Sequence, residues 1–319
     1  MRVGAIDCGT NSIRLLIAEV EEGPKGLELT DLERQMKIVR LGKGVDATGW
    51  LAKESLDRTF EAARGYAELL ERYQVDQVRF AATSATRDAG NRAIFTRGIQ
   101  QILGVEPEVI SGAEEAELSF AGALSSVGNS QDMTLVVDLG GGSTEFVLGN
   151  EEGVRAARSV DIGCVRMTER HISSDPASVT QIARVIADAD QALARAGATV
   201  DFSAATRLVG VAGTITTVAA HALNLDAYDP ARIDQSEISL KQISRAAADF
   251  VGMTRAQRLT LPYMHPGRAD VIPAGSLVWA RILEQVSKAS GGRIQSAITS
   301  EKDILDGLAL SVAQRAGLA

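Results

Sequence analysis

The chain has 319 residues, a length that predicts about two domains, since single domains usually hold roughly 100–200 residues. Apolar residues make up 45% of it and aromatics only 4%, so the cores should be built from Ala, Val, Leu and Ile. A net charge of −8 argues against a nucleic-acid partner, which calls for a basic excess, and no apolar run reaches the ~18 residues of a membrane span.

The chain begins directly with the apolar run Val3–Ile6, without the basic, apolar and cleavage regions of a secretory signal. Cys8 and Cys164 are too few for a disulfide scaffold, so a cytoplasmic setting with no membrane partner is expected. Cys8 reads as a small buried filler. His171, His221 and His265 are too widely spaced to form a zinc pattern and read as structural.

In chain order, strands are predicted over Arg2–Ile6, Ile13–Val20 and Leu27–Val39, the last in two pieces. A helix follows from about Ala52 to Tyr73, with Leu56, Phe60, Ala63, Ala67 and Leu70 at helical spacing. Val78–Ala82 is a short buried strand, and Asn91–Leu103 a helix that Asn91 or Asp88 can cap. Pro107–Ile110 is a further strand. Ser111 opens the next helix, with Glu114 completing an S-x-x-E capping box.

The order then repeats. Met133–Val137, Glu145–Leu148 and Val154–Val160 read as strands and Pro176–Ala196 as a helix with Pro in its first turn. Leu208–Val211 is a strand and Gly213–Ala222 a helix. Residues 223–265 form a polar, Pro-dotted helical insertion. Pro266–Ser287 is helix, Arg293–Ala297 strand and Glu301–Arg315 a closing helix. Strands alternating with helices predict an α/β protein with mixed sheets covered on both faces. The polar segment Ser125–Gln131 is the expected hinge.

One phrase occurs twice. Asp7-Cys8-Gly9-Thr10-Asn11-Ser12 follows Val3–Ile6, and Asp138-Leu139-Gly140-Gly141-Gly142-Ser143-Thr144 follows Leu135–Val137. Internal repetition predicts two related lobes, each turning an acid and a phosphate-sized loop toward a shared cleft. Three glycines let a backbone approach an anion with its N–H groups turned inward, and Ser143 and Thr144 add hydroxyls. Asp138 and Glu145 bracket that turn and suit a hard cation such as Mg²⁺, with Asp7 as their counterpart. Asn11 and Ser12 are donors to phosphate. The turn is neither a P-loop nor a dinucleotide fingerprint.

Three further phrases carry polar side chains to element ends. Ala81-Ala82-Thr83-Ser84-Ala85-Thr86-Arg87 follows a buried strand, where Arg87 can grip phosphate or cap a loop in solvent. Val209–Thr217 runs strand into helix through Gly213, an anion site or a tight packing turn. Arg268, at the head of a long helix, lines the cleft or pairs on the surface. Ser111–Ala116 places two acids in a first turn. The helix dipole and capping box explain Glu114, but not Glu115, which projects about 100° further round. A carboxylate there can take a proton from attacking water.

Together the phrases D-C-G-T-N-S, A-T-S-A-T-R, V-I-S-G-A-E-E-A, V-D-L-G-G-G-S-T-E, V-D-I-G-C-V-R, V-G-V-A-G-T-I-T-T and R-A-D-V-I-P-A-G resemble, in order, those of the exopolyphosphatase / guanosine pentaphosphate phosphohydrolase family. The resemblance runs from residue 3 to about 275. It implies two ribonuclease-H-like lobes of the actin-like ATPase superfamily: residues 1–124, with the helix at about 301–319 packing back on them, and residues 125–300. It implies a phosphoanhydride hydrolase that removes terminal phosphate from linear polyphosphate, or the γ-type phosphate from guanosine pentaphosphate, with Mg²⁺, or Mn²⁺ in its place, and a homodimer; polyphosphate is the expected substrate.

By that resemblance Glu115 is the catalytic base, Glu145 acts at metal and water with Asp138 beside it, and Arg87 is a phosphate ligand. The resemblance also implies that Gly140, Gly141, Gly142 and Ser143, with Asn11 and Ser12, hold phosphate; Thr144, Gly213 and Arg268 are expected at phosphate from their own phrases. Longer family members carry a further C-terminal helical domain that this chain does not, which points to shorter polyphosphates. The rivals are a guanosine pentaphosphate hydrolase, a kinase of the same fold and a non-catalytic alarmone sensor.

Overall fold

The computed structural model describes residues 1–23, 26–128 and 130–318. The chain divides into two compact units, Met1–Gly122 with Ile304–Ala319, and Ala123–Asp303. Residue 129 of the expected hinge lies outside the described residues, and 125–127 close a helix.

The first unit runs β1 (Arg2–Cys8), β2 (Ser12–Gly23), β3 (Gly26–Ile38), α1 (Val45–Thr48), α2 (Lys53–Arg72), β4 (Gln77–Ala82), α3 (Ser84–Asp88), α4 (Arg92–Leu103), β5 (Glu108–Val109) and α5 (Gly112–Val127). Its sheet has the order β3-β2-β1-β4-β5. β2 is antiparallel to both neighbours, and β1, β4 and β5 are parallel. β3 is one strand, not two pieces. A register shift opposite Ile17/Ala18 absorbs the break in its pattern, and its many charges suit an edge strand that must not pair further.

The second unit runs β6 (Thr134–Leu139), β7 (Thr144–Asn150), β8 (Gly153–Val160), α6 (Cys164–His171), α7 (Val179–Gly197), a short 3₁₀ turn (Phe202–Ala204) and β9 (Arg207–Val211). It continues through α8 (Gly213–Ala222), α9 (Pro230–Ile233), β10 (Glu237–Ser239), α10 (Leu240–Gly252), α11 (Arg255–Arg258), α12 (Ile272–Ala289) and β11 (Ser296–Thr299). The sheet order is β10-β11-β9-β6-β7-β8, with β6, β9 and β11 parallel and β7, β8 and β10 antiparallel to their neighbours. Without its edge strand β10 this is the arrangement of the first sheet. Both are mixed sheets flanked by helices, each in ribonuclease-H-like order. The closing helix α13 (Ile304–Arg315) packs Ile304, Leu305, Leu308 and Val312 on Val3, Ala5, Leu16 and Ala81 of the first sheet.

Several expected boundaries move. α7 starts at Val179 rather than Pro176, because Ser178 and Gln181 form a reciprocal capping box that fixes the start there. α12 starts at Ile272, with Pro273 rather than Pro266 in its first turn. The insertion 223–265 contains the strand β10 as well as helices. Asn91 precedes α4 but caps it with no side-chain bond. Its amide instead brackets Leu51, accepting from the Leu51 N–H and donating to the Leu51 carbonyl. No helix of the described residues is long and apolar enough to cross a membrane.

Candidate active site

The repeated phrase occupies the same place in both sheets. Asp7, the last residue but one of β1, lies opposite Arg14 on β2, and Asp138, the last but one of β6, lies opposite Glu145 on β7. Each intervening turn is closed alike, the Gly9 N–H donating to the Ser12 carbonyl at 3.0 Å and the Gly140 N–H to the Ser143 carbonyl at 3.1 Å. The cross-strand partners differ in sign, and this sets different chemistry on the two turns.

In the first unit Arg14 donates from Nε and Nη2 to Asp7 Oδ2 at 3.0 and 2.6 Å. The Asp7 charge is thus balanced within its own sheet. Cys8 is fully buried, and burial, with Asp7 beside it, pushes its thiol well above the ordinary value. That matches the filler role and disfavours a thiolate nucleophile.

β4 delivers Thr83 and α3 to the same sheet end. Arg87 Nη1 donates to Glu115 Oε2 at 2.5 Å and to the Ile110 carbonyl at 3.2 Å. Glu115, in the first turn of α5, is only 8% exposed. Burial raises its pKa above the usual carboxylate range. Arg87 and a Thr83 hydrogen bond oppose that rise, and the Asp7 charge adds to it. A buried carboxylate held by one guanidinium and kept from full acidity has the attributes of a general base.

Among the described residues of this unit, three buried side-chain oxygens have no protein partner: Thr10 Oγ1, Asn11 Oδ1 and Thr86 Oγ1. Unsatisfied buried polar atoms are costly, and three near the ends of β1 and β4 mark where a polar ligand or water completes the shell. Asn11 was expected there. Thr10 and Thr86 were not singled out, although both sit in hydroxyl-rich phrases following buried strands. The Asn11 carbonyl also receives the Val39 and Arg40 N–H groups, which fixes the turn that Ser12 closes.

In the second unit Asp138 and Glu145 are 6% and 1% exposed and share one face of the sheet. Two carboxylates directly opposite each other form an acidic pair, a setting that favours positive charge nearby. Ser159 Oγ donates to Glu145 Oε1 at 2.6 Å. An oxygen-only donor set of two carboxylates fits a hard divalent cation, which fills its remaining positions with water and substrate oxygens. Among the described residues no three His, Cys, Asp or Glu side chains gather as a ready metal cage.

The start of α6 holds the glycine turn. The Cys164 N–H donates to the Gly140 carbonyl, those of Val165 and Arg166 to Gly141, and the Gly163 N–H and Arg166 Nε to Gly142. With its carbonyls drawn to one side, the turn presents its peptide N–H groups to the other, as anion binding requires. Gly163 is essential to this seam, since a Cβ there would lie 2.2–2.3 Å from Gly141 and Gly142 backbone atoms. α6 was missed by the sequence reading because its eight residues are too few to establish a period. Thr144, also expected at phosphate, is fully buried, and its hydroxyl donates to the Ile162 carbonyl at 3.1 Å.

At the start of α8 the Arg268 guanidinium lies over Gly213, where a Cβ would meet it at 2.3–2.7 Å. Arg268 Nη1 donates to Thr217 Oγ1 at 3.3 Å, and the Thr217 hydroxyl to the Gly213 carbonyl at 2.6 Å. Ala212 takes φ 75° to make the turn from β9 into α8, a conformation disfavoured for a residue with a side chain. Gly213 and Arg268, separate candidates in the sequence, are therefore neighbours. The histidines have structural partners: His171 with Asp188, His221 with Tyr263 and Asp249, and His265 with the Gly267 N–H.

A family model described as the Ppx/GppA phosphatase family matches residues 16–312. Exopolyphosphatase 2 of Mycobacterium tuberculosis is 48% identical over 317 residues, covering 98% of each chain. A crystal structure of an exopolyphosphatase-like protein superposes with a TM-score of 0.94 at 43% identity, covering 99% of this chain and 98% of that one. The Ppx/GppA family member of Aquifex aeolicus gives 0.80 at 27% identity, covering 100% and 99%.

Proposed function

We propose, for a chain that belongs to the Ppx/GppA phosphatase family, an exopolyphosphatase activity: hydrolysis of the terminal phosphoanhydride of linear inorganic polyphosphate. The observation that carries it is the buried Glu115 carboxylate, bonded to Arg87 and held above the usual carboxylate range. A kinase transfers to an acceptor hydroxyl, whereas a hydrolase must activate water, and a poised carboxylate beside a phosphate-directed arginine suits water.

Glu115 orients the attacking water and takes its proton. Arg87, whose guanidinium is a rigid fork of donors, balances charge on the transferring phosphoryl group. The N–H groups of Gly141, Gly142 and Ser143, with Asn11, Ser12 and the unpartnered hydroxyls of Thr10 and Thr86, hold phosphate oxygens. Gly213 and Arg268 hold a further phosphate of the chain. A divalent cation, Mg²⁺ or Mn²⁺ in its place, held by Asp138 and Glu145, supplies Lewis-acid neutralisation of phosphate charge. Asp7, expected as a third metal ligand, is engaged by Arg14 and is given no part in holding it.

Guanosine pentaphosphate presents the same kind of bond. Orthophosphate release measured side by side on polyphosphates of graded length and on guanosine pentaphosphate separates the two. The proposal expects the higher kcat/KM on polyphosphate, and preference for the nucleotide overturns it.

A further inference from the structure

Behind Glu115, the first turn of α5 is held by a charge cluster, built round one buried arginine, that takes no part in the chemistry above. Arg79, on β4, is 5% exposed and lies on the face of the sheet covered by α13. Its Nη2 donates to Glu114 Oε1 at 2.5 Å and to Glu108 Oε2 at 2.7 Å. Its Nε bridges both Glu108 oxygens at 3.1 Å, and its Nη1 donates to Ser311 Oγ of α13 at 2.8 Å. Arg315, at the end of α13, closes the cluster through Glu108 at 2.8 Å and stands 3.9 Å from Glu114. Two guanidiniums thus balance two carboxylates, and every nitrogen of Arg79 is engaged.

A cluster whose members other than Arg79 are part-exposed is poor evidence of added stability, because solvent screens such pairs. Its geometric effect is more specific. Glu114 and Glu115 are consecutive in a helix and project about 100° apart. Fixing Glu114 on Arg79 therefore fixes the rotation of the first turn and so the direction of Glu115. The capping box read from the sequence is only half formed for the same reason. The Ser111 hydroxyl accepts the Glu114 N–H at 3.1 Å, but the Glu114 carboxylate goes to Arg79 instead of back to the cap.

We propose that Arg79 is a positioning residue: by clamping Glu114 it aims Glu115 at Arg87, and α13 completes the clamp through Ser311 and Arg315. This rests on the assignment of Glu115 as the base.

The test compares Arg79→Lys, Glu114→Gln and Glu115→Gln in orthophosphate release from polyphosphate, with pH profiles and thermal melts. Glu114 is part-exposed, so its variant should fold even if Arg79→Lys does not. Misaiming a catalytic group costs up to about 100-fold, so a fall in kcat of about 10- to 100-fold is expected for Glu114→Gln, with KM within about twofold. Its acidic limb should move to higher pH, because Glu115 loses part of the Arg87 contact that lowers its pKa. In a Glu115→Gln background, Glu114→Gln should cost nothing further. Full loss in Glu115→Gln with wild-type kcat and pH profile in Glu114→Gln overturns the positioning role and leaves the base intact. Undiminished turnover of Glu115→Gln overturns the base assignment itself.

Discussion

Glu145 faces Asp138 across β6 and β7 at the register position where the first sheet sets Arg14 against Asp7. One turn sets an arginine against its carboxylate, and the other sets two buried carboxylates against each other. The doubled phrase is a repeat in backbone but not in electrostatics.

The carboxylate pair predicts a cation requirement that belongs to the second unit. Chelation of divalent ions should abolish orthophosphate release, and Mg²⁺ should restore it. Asp138→Asn should raise the Mg²⁺ concentration for half-maximal rate by about 10- to 100-fold, the range found when metal-site partners are removed. Arg14→Met should leave that concentration unchanged. A metal titration of the three proteins checks both statements.

Glu115 predicts a pH dependence. As a base it must be ionised, so kcat/KM should rise with pH through a pKa above the ordinary carboxylate range. Arg87→Met removes the contact that opposes the rise, so the limb should move to still higher pH while the rate falls. For stability the sign is opposite. The unfolded value lies near about 4.3, and the folded state holds the proton more tightly. Glu115's contribution to stability therefore declines as pH rises from the unfolded value through the folded one. Glu115→Gln should remove that decline from a plot of melting temperature against pH.

Gly163→Ala tests the seam between α6 and the glycine turn. The added carbon would meet backbone at 2.2–2.3 Å, which no rotamer change relieves. Overpacking of this kind costs about 1–3 kcal/mol. The melting temperature should fall, and KM for polyphosphate should rise as the turn is displaced. An unchanged KM would show that the turn does not hold substrate.

Much of the fold was legible from local patterns. The apolar spacing of Leu56, Phe60, Ala63 and Leu70 announced α2, and the runs before Asp7 and Asp138 announced the central strands. What failed was decided by partners distant in sequence. β3 looked broken because its extra residue, Leu32, shows as a bulge only against Ile17 and Ala18 of β2. β10 was hidden because a three-residue edge strand exists only through its pairing with β11. The glycines, Asp138, Glu145 and Arg87 could be nominated because motifs name residue types. That Thr144 spends its proton on Ile162, that Arg14 engages Asp7, and that Arg79 turns Glu114 away from its cap are contacts between elements, and no local pattern encodes them.

The most direct test of the central claim is orthophosphate release from linear polyphosphate with Mg²⁺ in heavy-oxygen water, comparing the wild-type chain with Glu115→Gln. The wild type should release orthophosphate without any acceptor and carry one solvent oxygen into each phosphate cleaved from a chain end. Glu115→Gln should be slower by about 10²–10⁴, the usual contribution of a general base. Undiminished turnover by Glu115→Gln, or release that takes up no solvent oxygen, would contradict water activation at this carboxylate.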